Sequence, residues 1–139
     1  MKKCIVLAVA AMVLNFSLSF AQPQKQEHQI DKWLTRCIEQ DSSTAGMRGC
    51  CGKAYDMCDK ELNKTYKELM KKLNPAGQKT LKEAQTLWIK YRDAEFKLKD
   101  ETIGTRQGTM WLNVGDSDRV EFVKQRALEL KRYSEILDE

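Results

Sequence analysis

Three of the chain's five cysteines fall within MRGCCGKAYDMCDKELNKTY, Met47 to Tyr66, and two of them are adjacent. Thiols so close together can form a redox couple, hold a metal or staple the chain. A dithiol redox site places Cys-x-x-Cys at a helix N-terminus. A structural zinc site pairs ligands about two to four residues apart, with further ligands nearby. Cys50, Cys51 and Cys58 have neither spacing, so no redox site, no metal and no other cofactor is expected, and structural roles are left.

A second group mixes carboxylates, amides and a guanidinium. Asp59, Asn63 and Tyr66 share a helix face by i, i+4 and i+7, and Trp88, Tyr91, Arg92 and Glu95 share another. One chemistry would use Asp59, Asp93 and Glu95 as paired carboxylates and Arg92 as an anion clamp. The other is structural: Arg92 forms a bidentate pair with Asp59 or a neighbouring acid between helices, and Asn63 and Gln85 complete the hydrogen bonds. Trp88 and Tyr91 supply the apolar packing. The structural reading is preferred, with Asp59, Asn63, Tyr66, Gln85, Trp88, Tyr91, Arg92 and Asp93 as one interhelical polar network. The single histidine, His28, lies in the polar stretch QPQKQEHQ, and the chain has no serine elbow, glycine-rich phosphate loop or metal motif. No catalytic residue is assigned and the protein is read as a non-enzyme.

The third group is GTRQGTMWLNVGDS, Gly104 to Ser117. Gly104, Gly108 and Gly115 break helical structure, and loops longer than ~12 residues in a compact domain are usually functional or disordered. Met110, Trp111 and Leu112 in a row are costly to leave in water, and Arg106 stands close by. Trp and Arg are enriched at binding hot spots. Arg106, Met110, Trp111 and Leu112 are therefore the candidate partner-binding residues. The competing reading is a short helix that folds back over the end of the bundle.

Helices must hold these groups. Ile30, Trp33, Leu34, Cys37 and Ile38 follow helical spacing, as do Met47, Cys51, Ala54, Cys58, Leu62, Tyr66 (or Thr65), Leu69 and Leu73. Thr44 is the expected N-cap of that second helix. Asn74 caps and Pro75 opens a third, which carries Leu81, Ala84, Trp88, Tyr91 and Glu95 with Phe96 and runs to about Ile103. A last helix is expected to open at Asp118, with Glu121 completing an acidic capping box, and to bury Val120, Val123, Ala127, Leu130 and Leu137. No stretch alternates with period two for long. The fold class is all-α: an antiparallel bundle of three to four helices joined by short connections.

The chain opens with Lys2 and Lys3, an apolar run from Ile5 to Leu14, and small residues at Ser19 and Ala21. These are the parts of a secretory signal peptide, residues 1–21, cleaved after Ala21. The run is short of the ~20 apolar residues that span a bilayer. A flexible start (22–28) and a single helical domain (29–139) follow, in a periplasmic or secreted protein with no stable membrane insertion after cleavage. Loss of the leader takes two lysines and lowers the formal charge from +4 to +2, with both signs interspersed. No basic arm or stripe supports nucleic-acid binding.

In an oxidising compartment Cys37, Cys50, Cys51 and Cys58 favour disulfides. Cys58 lies ~10 Å along the same helix from Cys50 and Cys51, beyond the ~7 Å reach of a bridge. A hairpin turning near Ser42 or Ser43 sets Cys37 against Cys50 or Cys51. Either bridge closes a short loop that contributes ~3 kcal/mol. Cys51 and Cys58 fall on the buried stripe and read as small core hydrophobes, with a second, intermolecular bridge as the alternative.

The pattern C-x12-C with TAGM before the second cysteine, then DKELNKTYKELMKKL, then LKEAQTLWIKYRDAEF, resembles the bacterial LprI-type lysozyme-inhibitor family, small exported α-helical domains. Asp59, Leu62, Asn63 and Tyr66 carry the likeness in D-x-x-LN-x-x-Y. Ala84, Gln85, Trp88, Tyr91, Arg92 and Asp93 carry it in AQ-x-x-W-x-x-YRD. The likeness covers roughly Cys37 to Phe96 and extends more loosely through GTM to RVEFVKQRALELKRY. It implies that Cys50 is the partner of Cys37. It also implies inhibition of a lysozyme (a muramidase) by occlusion of its cleft. Arg106, a candidate from the third group and not from the likeness, would suit the two carboxylates of a glycosidase cleft as a donor. The chain departs from the family at Cys58, where relatives often have an aromatic residue, and in having no cysteine after YRD. Common secreted lysozymes are very basic and this domain is near charge balance, so electrostatic steering contributes little. The alternative function is a structural or interaction module of the cell envelope with another partner.

Overall fold

Residues 27–139 are described in a computed structural model, as four α-helices with no strand among them: α1 (Gln29–Gln40), α2 (Thr44–Lys72), α3 (Pro75–Gly104) and α4 (Met110–Ile136). The expected leader, its cleavage after Ala21 and residues 22–26 lie outside the described residues.

Short polar side chains set the helix starts. His28, expected in a flexible start, caps α1: its Nδ1 accepts from the Ile30 N–H at 3.3 Å, and its Nε2 lies 3.2 Å from Glu61 of α2. Ser43, not Thr44, caps α2, its hydroxyl accepting from the Gly46 N–H at 3.0 Å. The Ser43 N–H donates to Asp41 Oδ1 at 3.0 Å, which fixes the turn one residue earlier than the spacing suggested. Asn74 caps α3 through the Gly77 N–H at 2.8 Å, with Pro75 in the first turn.

Side-chain pairs give the helix directions. Cys37 bridges Cys50 while His28 meets Glu61, so α1 and α2 are antiparallel. Gln78 donates to the Met70 carbonyl while Tyr55 packs on Phe96, so α2 and α3 are antiparallel too. Lys99 pairs with Asp118 and Gln85 with Arg126, reversing the chain again at α4. Arg48–Asp116 at one end and Lys72–Asp138 at the other leave α2 and α4 parallel. Consecutive helices alternate as expected, but the core lies between the parallel pair. Cys51, Ala54, Cys58, Leu62 and Leu69 of α2 face Val120, Val123, Ala127 and Leu130 of α4, all at most 4% exposed. The small residues Ala54 and Ala127 are packed within these stripes, at 0% and 2% exposure.

Four further expectations need correction. The last helix opens at Met110, not Asp118, so neither a long Gly104–Ser117 loop nor a separate capping helix forms. Gly115, read as a breaker, lies buried inside α4: a Cβ there would stand 2.7 Å from Ile103 Cδ1, so α4 lies close against the end of α3 at this point. Leu137 leaves the core stripe because α4 ends there; it is half exposed. On α3 only Leu81 is buried, while Ala84 and Tyr91 point outward and Trp88 and Phe96 are half-buried. The bridge joins Cys37 and Cys50 with α-carbons 5.9 Å apart, and Cys51 and Cys58 are free and buried, as core hydrophobes should be.

Candidate partner-binding site

The disulfide fastens one end of the bundle, and the candidate residues of the third group gather there. Thr105–Thr109 is the whole connection between α3 and α4, and its reversal uses Gly108 at φ 98°, where an L side chain is strained. The Arg106 N–H donates to the Ile103 carbonyl at 2.8 Å, which holds the corner to the end of α3. Its guanidinium lies over the Trp111 ring, 5.2 Å from the centroid. Met110 is 63% and Leu112 41% exposed. The structure thus brings Arg106 and Trp111 together and leaves Met110 and Leu112 beside them in solvent.

The corner is held from below. The Thr44 and Thr109 hydroxyls are 3.4 Å apart, tying the start of α2 to the start of α4. Asn113 Nδ2 donates to the Met47 sulfur at 3.8 Å, over a hollow walled by Ile38, Cys51 and Val114. The Asn113 Oδ1 is buried without a hydrogen-bond partner.

Beside the corner a cleft of about 780 Å³ opens between the first half of α2 and the α3–α4 pair. Gly49 and Gly52 form part of its α2 wall, and Tyr55 and Phe96 stand in it with ring centroids 6.3 Å apart. Arg48 Nε donates to Asp116 at 2.8 Å; that hydrogen bond and the charge beside it raise the guanidinium above its ordinary value. Arg119 pairs with Asp100, approaches Asp116 at 3.8 Å and lies over Phe96 at 5.3 Å. Both guanidinium groups of this cleft are thus held by carboxylates.

Neither free thiol is poised to react. Burial, with help from the Asp116 carboxylate, raises Cys51 above the ordinary thiol value. Burial pushes Cys58 up to about 11, well above physiological pH. No group of His, Cys, Asp or Glu among the described residues is arranged to hold a metal ion. No helix among them is long and apolar enough to cross a membrane.

The expected polar network is divided among separate partners. Arg92 pairs with Asp93 on its own helix, Nε and Nη2 lying 2.9 and 2.7 Å from Oδ1, and its guanidinium lies over Trp88 at 5.6 Å. It does not bridge to Asp59. Asp59 instead accepts from Asn63 one turn on, at 3.0 Å. Gln85 accepts from Arg126 Nε at 3.1 Å. Tyr66 is half-buried against the core, and Tyr91 is mostly exposed. The residues that organise the α3–α4 contact are ones the sequence reading passed over. Phe122 stacks on Trp88 at 5.9 Å and meets Tyr91 and Phe96 at 5.6 Å each, and Arg126 also covers Trp88. Their spacing, one turn apart beside the α4 stripe, was the available signal.

The family described as Lysozyme inhibitor LprI matches residues 37–130. A crystal structure described as an uncharacterized protein from Burkholderia thailandensis superposes with a TM-score of 0.75 at 27% identity. The match covers 81% of this chain and 56% of that one, so this chain spans little more than half the length of that relative. No curated protein matches.

Proposed function

Because the chain belongs to the LprI lysozyme-inhibitor family, we propose that it is an exported protein that binds a lysozyme and blocks its muramidase cleft, acting by binding and not by catalysis. The observation that supports a binding surface is the corner itself. Arg106 is held against Trp111, and Met110 and Leu112 project around them, on a corner tied down by the Arg106–Ile103 hydrogen bond and the Thr44–Thr109 contact. A rigid aromatic with a guanidinium beside it is the composition of a binding hot spot. Preorganisation lowers the entropy lost on association. A glycosidase works with two carboxylates, and the Arg106 guanidinium is a suitable donor to one of them.

A muramidase assay with and without the purified mature protein tests the function. Inhibition that saturates near one inhibitor per enzyme is the expected result. If lysis proceeds unchanged in molar excess, the inhibitor reading fails and an envelope interaction module takes its place. Binding of an Arg106→Ala, Trp111→Ala double variant to immobilised lysozyme tests the surface, with a loss of about 2 kcal/mol or more, roughly 30-fold, expected. Wild-type affinity in a folded double variant would remove the corner from the site.

A further inference from the structure

α3 carries two apolar stripes. Leu81, Trp88 and Phe96 turn toward the core. Ala84, Leu87, Tyr91, Ala94 and Leu98 form the other, spaced 3-4-3-4 and turned away by roughly 110°. Leu87 is 65%, Tyr91 56% and Leu98 59% exposed, and both alanines are exposed. A single exposed leucine needs no account. A repeat of three and four residues sustained over two heptads is the pattern of a helix–helix seam, and no helix among the described residues covers it. We propose that this face of α3 is a self-association seam, along which two copies of the chain pair antiparallel about a two-fold axis.

Charge along the seam selects the second copy and its direction. Glu83, Lys90 and Lys97 immediately precede Ala84, Tyr91 and Leu98 on the outer flank. All three are exposed, and none has an ion-pair partner among the described residues. The other flank, Leu81, Trp88 and Glu95, is turned toward the domain's own α4. A parallel pair sets one flank against the opposite flank and is blocked by that α4. An antiparallel pair sets outer flank against outer flank. With the two-fold axis at Ile89, Ala84 meets the partner's Ala94, Leu87 meets the partner's Tyr91, and Leu98 meets the partner's Thr80. Glu83 then faces the partner's Lys97 at both ends, and only the two Lys90 side chains meet like with like. A slide of one heptad toward the C-termini would oppose Lys90 to the partner's Lys97 twice, and a slide the other way would pair Glu83 with Lys90 but set Ala94 against the partner's Gly77 and carry Leu98 past the start of α3, so both registers are disfavoured.

The seam from Ala84 to Leu98 is ~21 Å long, a size suited to a dimer dissociating at ~10 to 100 μM rather than to an obligate one. The two ends of α3 lie at opposite ends of such a dimer. Each copy keeps its Arg106–Trp111 corner free, and the pair presents two corners pointing apart.

Sedimentation equilibrium of the mature protein up to ~500 μM tests this. The wild type is expected to show a concentration-dependent dimer, and Leu87→Glu a monomer with unchanged helical circular dichroism. Lys97→Glu should weaken the dimer roughly fivefold or more, by setting Glu83 against a carboxylate. Glu83→Lys combined with Lys97→Glu should restore it to within about twofold. A wild type that stays monomeric throughout, or a dimer indifferent to Leu87→Glu, overturns the seam. A double swap that fails to restore association overturns the antiparallel register.

Discussion

Lys124 is the charged residue that the core admits, 7% exposed beside Val123 and Ala127. Its ammonium lies 2.6 Å from Asp31 of α1 and 2.6 Å from Glu121 one turn back. Burial alone would lower its pKa, but the hydrogen bonds to Asp31 and Glu121 together outweigh burial and hold it above the ordinary lysine value. A raised folded pKa means that this stabilisation is complete below the unfolded value and is lost as pH rises through the folded one. The ammonium should therefore stay charged at neutral pH, and the stabilisation that comes from its raised pKa should be lost as pH climbs past the ordinary lysine value of about 10.4. Lys124→Ala should destabilise by about 2 kcal/mol in urea denaturation at pH 7, because it strips one charge from a partly desolvated group. Lys124→Met should cost less, since it keeps the apolar stem. Equal stability of the alanine variant and wild type would show the pair to be idle. The buried thiols give a second check at this scale. With Cys58 pushed up to about 11 and fully covered, a disulfide reagent should label Cys58 in native protein only at the rate of unfolding. Residue-level partners were the least legible part of the sequence. Spacing put Arg92 on a helix face shared with Trp88, and the structure keeps that contact. The choice between Asp59 and Asp93 depends on how α3 rotates against α2, which no local pattern encodes.

At the scale of elements, α2 and its turn from α1 were legible, as were the bounds of α3, but the face that α3 turns to the core was not. The α2 stripe reads with one period and one apolar face, so Cys51, Ala54, Cys58, Leu62 and Leu69 could point only one way. α3 has two apolar stripes that share a period, and periodicity alone cannot say which one meets the core. The corner between α3 and α4 was misjudged for a related reason: a glycine signals a break or a close approach equally, and Gly115 proved to be the second. Glycines of α2 make the same distinction testable. A Cβ on Gly46 would stand 2.5 Å from the Asp41 carbonyl oxygen, inside the turn that the Ser43 cap and the disulfide define. Backbone cannot step aside as a side-chain tip can. Gly46→Ala should lower stability by ~1 to 3 kcal/mol although alanine is the better helix former. Nothing lies within 4 Å of a Cβ on Gly52. Gly52→Ala should gain up to ~1 kcal/mol from helix propensity alone. Opposite shifts in thermal midpoint for these two variants are expected; shifts of the same sign would show that the turn yields. Cys37→Ser should cost about 3 kcal/mol by opening the loop. The loss should be seen in non-reducing buffer and vanish when both proteins are compared with the disulfide reduced.

The whole molecule is a parallel α2–α4 core with a short helix clipped to one side and a long one laid along the other. α1 is fixed by a covalent bridge, the His28–Glu61 contact and the Asp31–Lys124 pair. α3 has only Leu81 buried, a cluster of rings around Phe122, and the ion pairs Lys99–Asp118 and Asp100–Arg119 near its end. Exposed ion pairs of this kind contribute little. Stability should therefore be uneven, with local opening of α3 well below the global free energy. In hydrogen exchange, amides around Cys58, Leu62, Val123 and Ala127 should be the slowest, and those between Ala84 and Leu98 should exchange well ahead of them. If two copies pair along α3, protection between Ala84 and Leu98 should rise with protein concentration, while the α2 and α4 amides, already limited by global unfolding, should gain far less. Uniformly slow exchange across α2, α3 and α4 in dilute protein would make α3 part of one cooperative core, and its exposed stripe would then have to be stable without a partner.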